Sequence, residues 1–500
     1  MFHHAPYCHG LVKGRVLVMF LGGPAARPWV VLAVWLALSP FWIQRESLWI
    51  DEAVSAVVVL APSLDHVWSE ISRINATEMH LPAYHYYLWG VAHWVGHSEA
   101  ALRAANLPWM LLGFTALILA VYSRSKPEPS LWMALFLVTH PFLFYYTNEV
   151  RPYAMQFGLA CMAFAGMAKG LTLRDQPQTS WSWCMGLSAV LLAWTTIYGL
   201  AWWLMCLLIW LGLLHGPRKS LAGKFITALL VLGGLSAILF HGWVISLGAR
   251  ASSLGTTNLQ TLAYAACEWS GGAGFLPGRS QLRAGATPGV GSFMMTAVTV
   301  ILTVSLGTAG LVRSLKIPGR SWWPCVWSLP TLGILASGVF RRFRVVGRHF
   351  TPVAPSLFWF LAYGPQKDRP WRWTRPAGFA LLALWIWSDI RLATLPEHRK
   401  DDYRATARFI EQHHRTNEIV WWAADEAAQK YYKLEWVIPV MNPSPSELAR
   451  KSRPVWVVLS KPDVYDGNAA LRNFLSQVGA EPEKTFTSFE IYRVPLSPSP

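Results

Sequence analysis

Two carboxylates stand side by side in the stretch SLWIDEAVSA, Asp51 and Glu52, directly after the first long apolar run of the chain. Asn148, Glu149 and Arg151 form a second polar group in TNEVRPYA, again at the end of an apolar run. Thr195, Thr196 and Tyr198 interrupt the apolar stretch around AWTTIYG, and RRFRVVGRHF carries four arginines, Arg341, Arg342, Arg344 and Arg348. Guanidinium forks bind phosphate oxygens in pairs, so an arginine cluster beside a bilayer reads as a site for a lipid phosphate or pyrophosphate. A carboxylate facing that cluster supplies the other half of a group transfer. It takes the proton of an acceptor hydroxyl while the arginines stabilise the departing phosphate. These residue types point to glycosyl or phosphoryl transfer.

The elements that must position them cross a membrane. The chain has 500 residues, 53% hydrophobic and 14% charged, with 29 Trp and a mean hydropathy of +0.30, which excludes a single soluble core. Runs approaching the roughly 20 apolar residues of a bilayer helix recur at 29–44, 103–122, 131–146, 153–169, 181–197, 199–214, 225–247, 291–312, 323–340, 350–364 and 377–392. The first follows GRVLVMFLGGPAA at once and reads as an uncleaved span. Beyond 392 helical and strand-like patterns alternate, as in DDYRATARFIEQHH, EIVWWAAD and PVWVVLS, which predicts a small α/β domain over 393–500 after a membrane domain over 1–392. The formal charge of +16 sits mostly in short loops between apolar runs and reports topology rather than nucleic-acid binding. Cys161, Cys184, Cys206 and Cys325 fall in or beside apolar runs, and no cysteine pair has a metal-ligand or redox spacing.

One further apolar segment, HLPAYHYYLWGVAHWVGH over 80–97, decides the topology. If it crossed, the loops with Arg124 and Lys126, with Lys169 and Arg174, and with Arg218, Lys219 and Lys224 would lie opposite Lys13, Arg15 and Arg27. If it lies in the interface, as its four His and its Tyr and Trp suit, all of them share the cytoplasmic side. The loops with Arg313, Lys316 and Arg320, and with Lys367, Arg369, Arg372 and Arg375, then join them. The chain then has eleven spans, with the first external loop over 45–102, the arginine cluster and the C-terminal domain all outside. That cluster is the one short loop to break the positive-inside pattern. A further external segment, 248–291, is rich in Gly and Ser and reads as a loop over the site.

In order and spacing, SLWIDEA, HLPAYHYYLW, SEAALRAANLPW, THPFLFYYTNEVRPYAM, TTIYG and GRHFTPVAPSL resemble the GT-C glycosyltransferases of the dolichyl-phosphate-mannose-protein mannosyltransferase superfamily, which includes bacterial aminoarabinose transferases. The match runs over about 25–365, and KDDYRATARFIEQHH is similar to the segment entering the soluble domain of bacterial members. The resemblance implies inverting transfer of a sugar from a polyprenyl-phosphate donor to a protein, lipid or glycan acceptor on the outer face of the plasma membrane. It implies Asp51 as the base with Glu52 its neighbour, Glu149 and Arg151 on the second loop's acidic motif, and Arg348 on the arginine before the tenth span. His80-Leu81-Pro82 stands where the family has His-Pro-Pro, and His349 where an aromatic usually follows the arginine. A divalent metal is compatible with these acids but not required, since they do not form the Asp-x-Asp pattern of metal-dependent relatives.

Plainer roles compete at each position. Asp51 and Glu52 would also cap the helix that begins there, and Glu149 with Arg151 would also make a local ion pair. Thr195 and Thr196 suit backbone satisfaction within a helix, and His80 alone of its segment's histidines stands close in sequence to the acidic loop. Tyr198 is a weaker substrate contact. A lipid-linked-sugar flippase or transporter is the alternative activity, but it calls for polar residues deep in several spans, whereas here they gather at one face.

Overall fold

The computed structural model describes residues 26–74, 78–123, 127–172, 179–213, 220–248, 256–278, 281–282, 286–317, 322–340, 344–366, 371–441 and 454–494. Arg341 and Arg342 lie outside the described residues. So do the topology-setting Lys13, Arg15, Arg124, Lys126, Arg174, Arg218, Lys219, Arg320, Lys367 and Arg369. Each apolar run anticipated from sequence is helical, several opened by a proline in the first turn, where its missing N–H costs nothing: Pro108, Pro129 and Pro355 are examples. Among the described residues five helices are long and apolar enough to cross a membrane by length and composition: Glu99–Val121, Leu221–Ser246, Val290–Ser314, Trp323–Phe340 and Thr374–Thr394. The run at 131–146 is two helices, Glu128–Thr139 and Pro141–Thr147, broken where Pro141 excludes a continuous backbone ladder.

Small residues bring two helices together beneath the polar loops. A Cβ on Gly113 or Gly158 would strike the facing helix, so Leu107–Val121 and Tyr153–Thr172 touch backbone to side chain and backbone to backbone. Above that crossing, Asn106 Nδ2 donates to the carbonyls of Thr147 (3.0 Å) and Glu149 (2.7 Å), pinning the loop that carries Arg151. The segment 80–97 forms the helix Pro82–Val95, with Tyr84, His85, Leu88 and Ala92 buried and Trp94 exposed, so it presents one face to the protein.

The expected loop over 248–291 is largely structured where it is described. It holds the helix Leu259–Ser270, started by a reciprocal Asn258–Thr261 cap and stopped at Gly271, whose φ of 87° and close approach to Trp385 leave no room for a side chain. Asn258, Thr261 and Gly271 are helix punctuation that a Gly/Ser count overlooks.

The C-terminal region carries a five-stranded sheet of order β2-β1-β3-β5-β4: β1 (Ile419–Ala423), β2 (Ile438–Pro439), β3 (Val455–Ser460), β4 (Pro482–Phe486) and β5 (Phe489–Val494). β1 runs parallel to β2 and β3, while β5 is antiparallel to β3 and β4. The all-apolar VWVVL of β3 is buried at every position, as a strand covered on both faces requires. This sheet domain sits on the first loop. Helix Glu426–Tyr431 packs on helix Ile50–Val58, and Tyr432 Oη joins Ser47 Oγ and the Leu48 amide, each at 2.9 Å. Arg404 meets Glu99 at 3.3 Å and Lys430 meets Glu70 at 2.9 Å.

Candidate active site

Asp51 occupies the first turn of helix Ile50–Val58, where a carboxylate suits the helix dipole. Its Oδ2 faces Arg348 Nη1 at 3.6 Å, an ion pair too long for a hydrogen bond, with the two side chains 33% and 27% exposed. Around Arg348 lie aromatic rings. Its guanidinium carbon is 5.8 Å from the Tyr153 ring, and the Tyr198 ring centroid is 5.1 Å from that of His349. Thus the structure brings together Asp51, Arg348 and Tyr198, three residues singled out in sequence. Arg344 is exposed on the approach to this segment.

Glu52 turns the other way and is wholly buried. Arg103 grips it with a two-pronged contact, Nε to Oε1 at 3.0 Å and Nη2 to Oε2 at 2.9 Å. Lys400 Nζ stands 3.0 Å from Oε1, and the amides of Val150 (2.9 Å) and Trp49 (3.3 Å) donate to the two oxygens. Burial would raise this carboxyl, but the charges of Arg103 and Lys400 outweigh it and hold it down at about 2. A carboxylate so fully engaged is a clamp and a helix cap, not a proton acceptor. Lys400, desolvated and beside Arg103, is lowered to about 8 despite Glu52.

Arg151 does not pair with Glu149. Its Nη1 contacts both oxygens of Glu78 (2.9 and 3.0 Å) and donates to the Asp51 carbonyl and Ser55 Oγ, each at 3.2 Å. Arg151 is thereby a strut under the helix that presents Asp51 rather than an open anion site. Glu78 is buried and also meets His85 Nε2 at 3.0 Å. Burial would raise its carboxyl, yet Arg151 and His85 bring it down to about 2. Glu149 is fully buried, within electrostatic reach of Lys400 and Tyr153. His80 leaves the acidic loop to meet His241, Nδ1 to Nδ1 at 3.0 Å, while His241 Nε2 reaches the Ala193 carbonyl at 2.9 Å. Thr195 Oγ1 returns to the Leu191 carbonyl at 2.7 Å, the backbone role expected of it. Glu78, Arg103, Lys400 and Tyr153 were not singled out in sequence.

Among the described residues no three His, Cys, Asp or Glu side chains gather closely enough to hold a metal ion. A cavity of about 640 Å³ lies between the membrane helices and the sheet domain, its wall including Trp49, Glu268 and Lys400.

Solved structures that match the chain over nearly its whole length include two of one transferase. ArnT, an aminoarabinose transferase, from Cupriavidus metallidurans in the apo state aligns with a TM-score of 0.59 at 12% identity, covering 96% of this chain and 98% of ArnT. The same protein bound to undecaprenyl phosphate aligns with a TM-score of 0.55 at 13% identity and the same coverage. The chain has the GT-C glycosyltransferase fold. No protein-family model matches the sequence, and no curated protein matches it. The GT-C fold and the apolar helices together make this an integral membrane protein.

Proposed function

We propose that the chain is a membrane glycosyltransferase that moves a sugar from a polyprenyl-phosphate donor to an acceptor hydroxyl at the outer face of the plasma membrane. The observation that carries this reading is the Asp51–Arg348 pair, a carboxylate and a guanidinium, each partly exposed, drawn from the first turn of Ile50–Val58 and from the segment Gly347–Val353 and set 3.6 Å apart. The solved ArnT complex with undecaprenyl phosphate supports a lipid phosphate as the donor group.

The donor phosphate engages Arg348 and so releases Asp51 toward the acceptor. Asp51 takes the hydroxyl proton as the acceptor oxygen attacks the anomeric carbon from the face opposite the phosphate. The bond from that carbon to the phosphate oxygen breaks, Arg348 stabilises the charge that develops there, and a single displacement inverts the configuration. Arg151, held by Glu78, and Glu52, held by Arg103 and Lys400, keep the helix bearing Asp51 in place.

The test is Asp51→Asn. Asparagine preserves shape and helix capping but not basicity, so transfer should fall by about 10² to 10⁴ while donor binding persists. Turnover by purified enzyme with polyprenyl-phosphate sugar reads the first and donor titration the second. Retention of most of the turnover would remove Asp51 as the base.

A further inference from the structure

We infer that the cavity between the membrane helices and the sheet domain receives the acceptor, and that this acceptor is an uncharged saccharide. The inference rests on the transferase reading above and adds the substrate class that the reading leaves open.

Position comes first. Trp49, in the cavity wall, precedes Asp51 by two residues. Glu268, also in the wall, packs its carboxylate against Gly347, the residue before Arg348, and the neighbouring Trp269 donates Nε1 to the Gly347 carbonyl at 2.9 Å. The cavity therefore reaches the chain neighbours of the Asp51–Arg348 pair, Trp49 directly and Gly347 through Glu268. Its volume of about 640 Å³ falls within the about 300–1,000 Å³ of ligand pockets and leaves room for a short oligosaccharide.

The wall then narrows the chemistry. Trp49, Tyr145, Tyr264 and Phe486 are each half-buried, so each turns part of an aromatic face or edge toward the space. Such rings offer flat apolar surface with polar tips, the complement of a sugar ring's C–H face and hydroxyl rim. Most basic side chains of the wall stand beside acids, Lys400 by Glu52 at 3.0 Å, Lys461 by Asp401 in the same wall, Arg472 by Asp466 at 3.2 Å and His398 by Glu397 at 3.7 Å, while Arg399 is exposed. The wall also holds carboxylates, Glu268 and Glu490 among them. A phosphorylated glycolipid headgroup would meet mostly paired cations and several facing acids, whose repulsion disfavours it.

The test gives the purified full chain an unlabelled cell-envelope extract together with polyprenyl-phosphate sugars drawn from the same cells grown on radiolabelled glucose. Label should pass into a protease-resistant saccharide free of phosphate. Tyr264→Ala and Phe486→Ala should each raise KM for that acceptor about tenfold, with donor KM unchanged, since loss of one well-packed aromatic contact is worth on the order of one factor of ten. The unchanged donor KM shows that each variant is folded. Label arriving in protein or in phosphorylated glycolipid would overturn the inference, as would an unaltered acceptor KM in both variants. Failure of the unsubstituted chain to transfer any label would overturn the transferase reading, and the inference with it.

Discussion

Asp51 and Glu52 are consecutive in the chain and opposite in circumstance. Asp51 has one arginine at 3.6 Å and a partly exposed surface, whereas Glu52 has two cations and two amides and no surface at all. Removing the charge of Glu52 would strand Arg103 and Lys400 in a buried site. Glu52→Gln should therefore cost about 3–5 kcal/mol of stability, read as a lower melting temperature, before it costs anything in catalysis. Arg348→Ala should show the reverse pattern. Its side chain is partly exposed, so melting should scarcely change while donor affinity falls by about tenfold or more, and Arg348→Lys should recover only part because an ammonium lacks the fork. Donor titration checks both variants. Asp51 and Arg348 were legible in the sequence because each is a charge that its surroundings do not call for. Glu78 and Lys400 were not, because an acid or a lysine in a loop looks ordinary until distant segments meet around it. Arg151 shows the same limit: its nearest acid in sequence is Glu149, but the partner it finds is Glu78.

Hydropathy located the helices well, since a bilayer-length apolar run has few other ways to satisfy its backbone. It blurred wherever a helix was short and polar. Leu259–Ser270, which carries Glu268 and Trp269 to the site, was read as loop because its capping residues were outweighed by the glycines around it. Hydropathy was equally unable to say whether Pro82–Val95 crosses, and charge bias favoured a helix that does not. A cysteine at Ser98, exposed at the cap after that helix, and another at Ser220, exposed at the cap of Leu221–Ser246, provide a measurement. An impermeant thiol reagent applied from outside should label Ser98→Cys and spare Ser220→Cys. Labelling of both, or of Ser220→Cys alone, would count against the eleven-span topology.

Buried charge holds the molecule together, within the membrane region at Glu78 and Arg151 and between its two regions at Glu52 and Lys400. Burial would raise the Glu52 and Glu78 carboxyls, but their cationic partners overcome it and hold both at about 2, below the ordinary 4.5. The unfolded chain therefore binds more protons than the folded one as pH falls below 4.5, and the stability these groups contribute, full above that value, is lost as pH approaches 2. Detergent-solubilised protein should melt at a clearly lower temperature at about pH 3 than at about pH 6, and Glu52→Gln should flatten that dependence. A pH-independent melting point across that range would contradict the role given to the two pairs.

The contact of Lys400 with Glu52 has one more consequence, and it is a matter of counting. Two groups 3.0 Å apart occupy the same side of a bilayer, so the chain between them must cross an even number of times. An eleven-span threading would leave ten crossings after Asp51 and satisfy that parity; adding a crossing by Pro82–Val95 would make it odd and demand that some other helix give up its own. A single ion pair thus constrains the threading of the entire membrane region, independently of any loop charge.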